Sequence, residues 1–379
     1  MNLLDKKNLN ILLKELKISK IDQDIINKIN SEIKINLEQY KQRLKNYDRK
    51  RKLDALEKTY NVLKTLSKKQ INSLPKWVKK DLKTCKIIGN SKKVIMNNEG
   101  KKFHLNNSLN DLPGNEWSFF LRSVINTRYP TAGKEGYAHQ IRKIHPSPKP
   151  PQLMQEIINF FTKENELVFD YFMGVGGTLL GASLAKRKAL GIDLSSKYIN
   201  AYKKASKELK LKEQVTIKGD SLQILKNNKQ ISNYLKKDLF SLIAIDPPYG
   251  DMMSREKTGE AIKTNKSTAA TPFTENKKDL GNMSWIKFKE IFIESIELSM
   301  PLLKDRGHFV VFIKDLQPKD GKTNLLHADI IEEMNKVKNL HYLGMKIWAD
   351  ESINLYPYGY PYSFVSNQLH QYILFFKKT

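Results

Sequence analysis

The tetrapeptide Asp246-Pro247-Pro248-Tyr249 combines groups that can act together on an aromatic amino group. Such a nitrogen is a poor nucleophile because its lone pair is delocalised into the ring. If the Asp246 carboxylate and the Pro247 carbonyl accept its two hydrogens, the nitrogen becomes more tetrahedral and can attack an electrophilic carbon. The prolines fix the directions of both acceptors, and the Tyr249 ring can stack on a planar substrate. A rigid turn without chemistry is the alternative interpretation.

A glycine-rich turn lies upstream of this tetrapeptide, in the stretch that runs from Phe169 to Thr178. Gly174 and Gly176 lack side chains, so the backbone at such a turn can approach a ligand closely. The spacing is not the dinucleotide-binding fingerprint, because Leu179 occupies the position of its third glycine. A tight turn without a ligand is again the alternative.

Acidic residues follow the next two apolar segments, in Gly191-Ile192-Asp193 and Gly219-Asp220-Ser221. A carboxylate at the end of the second strand of a nucleotide-binding sheet accepts hydrogen bonds from ribose hydroxyls. Aspartate is also favoured at helix N-caps, so each residue alone has a structural explanation. Three consecutive strand ends with suitable groups outline a nucleoside pocket.

The elements that must position these groups alternate between short apolar strands and helices from about residue 151. The alternation predicts an α/β fold with a doubly wound, mostly parallel, seven-stranded Rossmann-like sheet. The predicted strands are Leu167–Phe172, Ala189–Leu194, Val215–Lys218, Leu242–Ile245, His308–Ile313, Tyr342–Trp348 and Gln371–Phe376. The predicted helices include Gly177–Lys188, Ser196–Leu209 and Trp285–Leu303. Ligands of such folds bind at the carboxyl ends of the strands.

Two regions precede this predicted domain of residues 151–379. Residues 1–90 have apolar residues at helical spacing, such as Leu53, Leu56, Tyr60 and Leu63, which predicts a helical and basic N-terminal region. Residues 91–150 are punctuated by glycine and proline and are interpreted as an irregular linking or wrapping segment. The basic stretch Lys41–Lys52 is either a grip on a polyanion or a solvated helix face.

The formal net charge of +26 and the isoelectric point near 9.7 favour binding to a polyanion such as nucleic acid. A coding bias towards lysine explains the same excess equally well. The single cysteine, Cys85, cannot form an internal disulfide, and no Cys/His spacing is typical of a zinc site. Without a signal peptide or an apolar run of membrane-spanning length, we expect a cytoplasmic protein that contains no metal and has no membrane partner.

Taken together, these motifs resemble the amino-methyltransferase family of DNA methyltransferases, which modify adenine N6 or cytosine N4. The segment His145-Pro146-Ser147-Pro148-Lys149-Pro150, followed by Leu153, is similar to the family motif that flanks the cofactor. The stretch from Tyr356 to Pro361 is also similar, although more loosely. The resemblance covers about residues 115 to 379. The motif order makes the fold circularly permuted relative to members in which the His-Pro segment follows the catalytic loop.

The resemblance implies S-adenosylmethionine as cofactor and the tetrapeptide as catalytic loop. The cofactor-binding residues that it implies are His145, Pro146, Lys149, Asp170, Phe172, Gly174, Gly176, Asp193, Leu194, Asp220 and Ser221. The target base must leave the duplex, because its amino group is otherwise paired. No cysteine nucleophile lies in the catalytic region, which argues against methylation of cytosine C5.

Aspartate at the first position of the tetrapeptide is the form usual among adenine enzymes, so we expect methylation of adenine N6 in duplex DNA, as in restriction-modification. Cytosine N4, RNA as substrate, and a non-catalytic DNA-binding subunit remain alternatives. Little chain is left for a separate recognition domain. Recognition is therefore expected from the N-terminal region, the segment before His145, the insertion at residues 250–284, or a partner such as a second copy or a specificity subunit. The insertion carries Arg255, Lys257, Lys263 and Lys266.

Overall fold

The computed structural model describes residues 59–250, 273–315, 325–352 and 369–379, together with isolated positions at 31, 38, 39 and 42. The chain divides into two compact units, Met1–Gly100 and Lys101–Thr379. The stretch Tyr356–Pro361 lies outside the described residues, as does Lys41–Lys52 apart from Gln42. The same holds for Arg255, Lys257, Lys263 and Lys266 of the insertion. Within the described part of the chain, no helix is long and apolar enough to cross a membrane.

The described part of the first unit mixes short helices with short strands. Its elements are β1 (Thr59–Asn61), α1 (Val62–Thr65), α2 (Lys68–Ser73), α3 (Lys76–Lys80), β2 (Lys86–Ile88) and β3 (Val94–Met96). Strand β2 pairs antiparallel with both β1 and β3. The helical region expected for residues 1–90 is therefore interrupted at Tyr60, which lies in β1. The β-branched residues Ile87 and Ile95 are buried in this small sheet, and their packing outweighs the helical spacing.

The second unit holds the larger sheet and its covering helices. Its helices are α4 (Gly114–Phe120), α5 (His139–Arg142), α6 (Pro151–Phe161), α7 (Gly177–Leu184), α8 (Ser196–Glu208), α9 (Ser221–Lys226), α10 (Lys229–Leu235), α11 (Trp285–Ser299) and α12 (Leu326–Met334). Its strands are β4 (Lys102–His104), β5 (Val124–Thr127), β6 (Leu167–Asp170), β7 (Lys188–Asp193), β8 (Val215–Lys218), β9 (Phe240–Ile245), β10 (Leu303–Ile313), β11 (Leu340–Asp350) and β12 (His370–Lys378).

Eight of these strands form one mixed sheet in the order β5-β11-β12-β10-β9-β6-β7-β8. The five strands from β10 to β8 in this order are mutually parallel, whereas β12 runs antiparallel to both of its neighbours. Strand β6, the first of the parallel set along the chain, lies between β9 and β7. The strand order therefore reverses beside β6, and this switch point is where doubly wound sheets bind ligands.

Alternating side chains of each central strand enter two separate cores. In β9, Ile243 and Ile245 face one core, whereas Leu242 and Ala244 face the other. Helices α10, α11 and α12 cover the first face, and α6, α7 and α8 cover the second. Every residue of β9 is buried, as expected for a parallel strand covered on both faces.

The predicted α/β class and doubly wound sheet are confirmed, with all seven predicted strands present. The sheet has an eighth strand, β5, in the segment that was expected to be irregular. Val124 pairs with Ile347 of β11, and Thr127 pairs with Asp350. A four-residue edge strand with two exposed side chains carries too weak an apolar pattern to be read without its partner.

Gly176 packs closely against Tyr202, so a substitution at this position tests the packing of the glycine turn. It ends the glycine turn with φ +75, and a Cβ at this position would overlap the ring of Tyr202 on α8. Gly176→Ala is therefore expected to lower the free energy of unfolding by roughly 2–4 kcal/mol, through overpacking and left-handed strain. Chemical denaturation monitored by circular dichroism measures the change.

Gly133→Ala is the matched control, since Gly133 also has a positive φ but a Cβ there would meet no atom within 4 Å. We expect a smaller loss from strain alone. Equal losses for the two variants would contradict the packing argument.

Candidate active site

The carboxyl ends of β6, β7, β8 and β9 surround a cavity of about 260 Å³ at the switch point of the sheet. The structure brings most of the sequence-predicted site residues to its wall. These residues are His145, Phe172, Gly174, Asp193, Leu194, Asp220, Ser221, Asp246, Pro247, Pro248 and Tyr249. Residues from four strand ends and from the segment before α6 thus meet at one place.

Asp246 follows the last residue of β9, where two prolines stop the strand because they cannot donate to the ladder. Its Oδ2 lies 2.6 Å from the Nζ atom of Lys149. The Asp246 side chain is 21% exposed, whereas that of Lys149 is only 8% exposed. Burial raises the pKa of the Asp246 carboxyl, and the charge and hydrogen bond of Lys149 oppose the shift.

Tyr249 is anchored deep in the same wall, with only 5% of its surface exposed. Burial and the neighbouring Asp246 carboxylate hold the pKa of its hydroxyl far above the ordinary value, and a backbone hydrogen bond at Lys314 opposes this shift. The phenol is therefore neutral at physiological pH. The ring is held between the ends of β9 and β10, so it offers a fixed aromatic surface to the cavity.

The glycine turn is tied to β7 by two hydrogen bonds. Met173 N donates to Ile192 O at 3.0 Å, and Gly174 N donates to Asp193 Oδ2 at 2.8 Å. Gly174 has φ +50, and a Cβ there would lie 3.3 Å from Nε2 of His145. The absent side chain therefore leaves space between the turn and His145 at the cavity wall.

Asp193 has both carboxylate oxygens engaged by the backbone, since Ser195 N donates to Oδ1 at 2.7 Å. Burial raises its pKa to about 7, and nearby Asp279 adds to the shift, while the two backbone hydrogen bonds oppose it. Each oxygen keeps a further lone pair for hydroxyl donors. Helix α8 is capped by Ser195, so Asp193 is not its N-cap.

Asp220, in contrast, serves as the N-cap of α9, because its Oδ1 accepts from Leu222 N at 3.0 Å. Its Oδ2 lies 3.6 Å from Nζ of Lys278. The structural and ligand-binding interpretations of this residue are therefore compatible, since it caps a helix and lines the cavity. Ser221 faces the cavity too and donates a hydrogen bond to Tyr171 O.

His145 is a neutral aromatic wall of the cavity. Burial, together with the charges of Lys149 and Arg142, lowers its pKa to about 4, although a backbone hydrogen bond at Ser147 opposes the shift. Nδ1 accepts a hydrogen bond from Ser147 N at 3.1 Å, as suits a neutral ring. Its ring stacks on Phe273, with centroids 5.1 Å apart.

Four of the predicted cofactor-binding residues do not line this cavity. Pro146 is exposed. Gly176 packs under Tyr202. Lys149 and Asp170 line a smaller adjacent cavity that is also bordered by Gly174 and Asp246. Asp170 supports the turn, since it accepts hydrogen bonds from Phe172 N at 3.0 Å and from the Thr178 hydroxyl.

The sequence analysis missed a described strip of the insertion that closes one side of the cavity. Phe273, Thr274, Lys277, Lys278, Asp279 and Leu280 all line it. The Tyr198 hydroxyl, also missed, donates to Phe273 O at 2.6 Å. Thr274 Oγ1 donates to Asp279 Oδ2 at 2.7 Å, and the same carboxylate accepts from Gly281 N. The only signal in the sequence is the position of Tyr198 in the first turn of the helix that follows Asp193.

The cavity fits S-adenosylmethionine by the chemistry of its walls. Asp193 and Asp220 offer acceptors for ribose hydroxyls, and both carboxylates favour a ligand with positive charge. Phe172, Leu194 and Met283 supply apolar contact surface for a purine ring. The residues that would hold the cofactor are therefore Asp193, Asp220, Phe172 and the backbone at Gly174. Asp246 lies on the wall of the same cavity.

The doubly wound sheet with a nucleoside-sized cavity at its switch point and Asp-Pro-Pro-Tyr on its wall is that of a methyltransferase domain. The model of the DNA methylase family, comprising N6 and N4 methyltransferases, matches residues 7–204, and the chain belongs to this family. The matched range contains the His145 segment, the glycine turn and Asp193, and it ends before Asp246. Methyltransferases of this family depend on S-adenosylmethionine.

Curated relatives include enzymes for two kinds of nucleic acid. The chain is 31% identical over 149 residues to a tRNA (guanine(10)-N2)-dimethyltransferase of Methanocaldococcus jannaschii, a match that covers 39% of this chain and 41% of that protein. It is 37% identical over 60 residues to the type II methyltransferase M1.MboII of Moraxella bovis, covering 16% of this chain and 23% of the relative. The chain thus spans less than half the length of the relatives it matches.

Solved structures that match part of the chain include TrmN from Thermus thermophilus, at 11% identity and a TM-score of 0.37, covering 60% of this chain and 48% of that one. Magnesium protoporphyrin IX methyltransferase from Synechocystis, solved with bound S-adenosylmethionine, matches at 12% identity with a TM-score of 0.34. The match covers 64% of this chain and 80% of that one.

Because Asp170 is buried, we predict that the free energy of unfolding of the protein depends on pH. Burial raises its pKa to about 7, so between its unfolded value and about 7 the folded state holds a proton that the unfolded state releases. The stability that this proton contributes is lost as the pH rises through about 7. The asparagine of Asp170→Asn does not titrate. As the pH rises from about 5 to about 8, we therefore expect the free energy of unfolding of the variant to increase relative to that of wild type.

Urea denaturation of both proteins across this range measures the difference. Asp305→Asn is the matched control, because Asp305 is 89% exposed and its substitution is expected to leave the pH profile unchanged. Parallel profiles for wild type and Asp170→Asn would show that the Asp170 carboxyl does not carry the shift.

Proposed function

We propose that the protein transfers a methyl group from S-adenosylmethionine to N6 of an adenine that is flipped out of duplex DNA. The observation that carries this proposal is the position of Asp246 on the wall of the nucleoside-sized cavity. Lys149 holds its Oδ2 atom, and the described residues give Asp246 no other hydrogen-bond or ion-pair partner. Its Oδ1 atom is therefore available to a substrate amino group.

The chain's own residues activate that amino group by accepting its hydrogens. S-adenosylmethionine supplies an electrophilic methyl group on its sulfonium. Asp246 Oδ1 accepts one hydrogen and the Pro247 carbonyl accepts the other, which restores lone-pair density to the nitrogen. As the nitrogen forms its new bond, the carboxylate receives the displaced proton. Tyr249 offers its ring to the base, and the closed aromatic wall of His145 and Phe273 limits the entry of water.

Duplex DNA as the substrate is supported by the family and by the charge of the chain. The net charge of +26 favours a polyanion because bound cationic side chains release condensed counterions. A paired adenine hides its amino group, so the base has to enter the cavity as an extrahelical nucleotide. Recognition of the site is assigned to segments outside the methyltransferase sheet or to a partner, such as a second copy or a separate specificity subunit.

A second candidate is methylation of an exocyclic amino group in RNA. The match to a tRNA guanine-N2 enzyme over 149 residues favours it. The amino group of guanine is delocalised into its ring as that of adenine is, so the same two acceptors would activate it. Cytosine N4 in DNA is the remaining alternative within the family.

Methyl transfer from radiolabelled cofactor to equal amounts of unmodified duplex DNA and tRNA in one reaction tests the proposal. Digestion of both products to nucleosides identifies the modified base. We expect label in N6-methyldeoxyadenosine. Label in N4-methyldeoxycytidine would correct the base, and label confined to N2-methylguanosine of the tRNA would replace DNA by RNA as the substrate.

The role of Asp246 gives a direct mutational prediction. Asp246→Ala and Asp246→Asn are each expected to lower kcat by at least roughly 100-fold, because both remove the charged acceptor. Binding of the cofactor, measured by calorimetry, is expected to change little, since the contacts with Asp193 and Asp220 remain. The asparagine variant keeps the shape of the side chain and so guards against a loss of activity through misfolding.

Asp305→Ala removes an exposed carboxylate of the same unit and is expected to keep wild-type activity. Near-normal turnover of both Asp246 variants would refute the assigned chemistry.

A further inference from the structure

Lys149 is a buried cation beside the site whose placement the cofactor does not explain. Its side chain is 8% exposed, and its Nζ atom lies 2.6 Å from Asp246 Oδ2. The same ammonium lies 5.3 Å from the ring centroid of Phe312 and 5.9 Å from that of Trp348. It borders the smaller cavity beside Asp246 and does not line the larger, nucleoside-sized one. The ammonium therefore contacts the carboxylate without occupying the cavity that a substrate would enter.

The backbone at Lys149 is held in place by its neighbours in the chain and by a buried side chain. Proline precedes and follows it, and α6 begins directly afterwards at Pro151. The buried guanidinium of Arg142 donates a hydrogen bond to Lys149 O. A flexible lysine stem is thus held in one place before a substrate arrives, which limits the loss of side-chain entropy during the reaction.

The charged groups around Asp246 make this cation important. The carboxyl of Asp170 lies close enough for the two acids to repel each other, and burial with that repulsion raises the pKa of Asp170 to about 7. Tyr249 is neutral. Lys314 is a half-buried lysine, and burial together with the charge of Lys149 lowers its pKa. Within the described residues, Lys149 is the cation that contacts Asp246 directly. Without it, a desolvated carboxylate would face another acid.

We propose that Lys149 is a positioning residue for Asp246, which holds Oδ2 of the carboxylate so that Oδ1 stays charged and aimed at the amino group of the target base. The catalytic consequence of this assignment rests on the proposed function. It replaces the sequence-based expectation that Lys149 binds the cofactor. No atom is transferred by Lys149 itself, and the proton lost by the amino group goes to Asp246.

Titration of Asp246 by carbon-13 NMR of aspartate-labelled protein tests the ion pair without any substrate. The signal of Asp246 is identified by its absence in Asp246→Asn. We expect Lys149→Met to raise the pKa of Asp246 by at least about one unit, because burial is then opposed by no contacting cation. Lys149→Arg keeps a cation and is expected to restore part of the shift. An unchanged Asp246 titration in Lys149→Met would overturn the proposal, whatever the enzyme methylates.

Steady-state kinetics test the consequence for catalysis. In Lys149→Met we expect kcat at neutral pH to fall at least about tenfold and the acidic limb of the pH profile to move to higher pH, since Asp246 must be ionised. The KM for S-adenosylmethionine and its calorimetric affinity are expected to stay near the wild-type values. A raised KM for the cofactor with unchanged kcat would instead make Lys149 a cofactor-binding residue and overturn the proposal.

Lys346→Met is the matched control for removing a buried lysine. Lys346 is 5% exposed and donates to the carbonyls of Phe120 and Arg122, away from the cavity. We expect it to lower thermal stability without moving the pH profile or the Asp246 titration. If wild-type protein methylates neither DNA nor RNA, the proposed function fails, while the NMR titration still decides the role of Lys149.

Discussion

The desolvation of three carboxylates at one edge of the sheet is the constraint on which the site depends. Asp170, Asp193 and Asp246 follow or end neighbouring parallel strands, and burial raises the pKa of each. The chain compensates each acid differently. Asp170 accepts from the glycine turn and Thr178, Asp193 accepts two backbone N–H groups, and Asp246 pairs with Lys149. Among the described residues, Asp246 is the one of these three acids that is paired with a cation.

The topology explains how distant parts of the sequence supply these partners. Strands β6 and β9 are neighbours in the sheet although about 70 residues separate them along the chain. Helix α6 packs beside α7 on one face, which brings the segment that precedes it under the end of β9. A permuted order of motifs is compatible with this arrangement because the neighbours in space, rather than along the chain, build the site.

The features of the fold and of the site that depend on a local sequence pattern could be predicted from the sequence. The alternation of apolar strands and helices predicted the sheet, and the strand ends predicted the cavity wall from Phe172 to Tyr249. Three features depend on tertiary contacts and could not be read. Phe273 stacks on His145 while its carbonyl accepts a hydrogen bond from Tyr198. Strand β5 pairs with the distant β11, and Gly176 lies against the ring of Tyr202. Lys149 was read as part of a cofactor motif, and its pairing with Asp246 shows only in three dimensions.

We propose that the Asp246 carboxylate, whose Oδ2 atom is held by Lys149, activates an adenine amino group in DNA. Mass spectrometry of nucleosides from a host that lacks its own DNA methyltransferases measures this directly when the chain or its Asp246→Asn variant is expressed. The account predicts N6-methyldeoxyadenosine in genomic DNA with the wild-type chain and none with the variant. DNA without modified adenine, alongside newly methylated guanosine in tRNA, would contradict it.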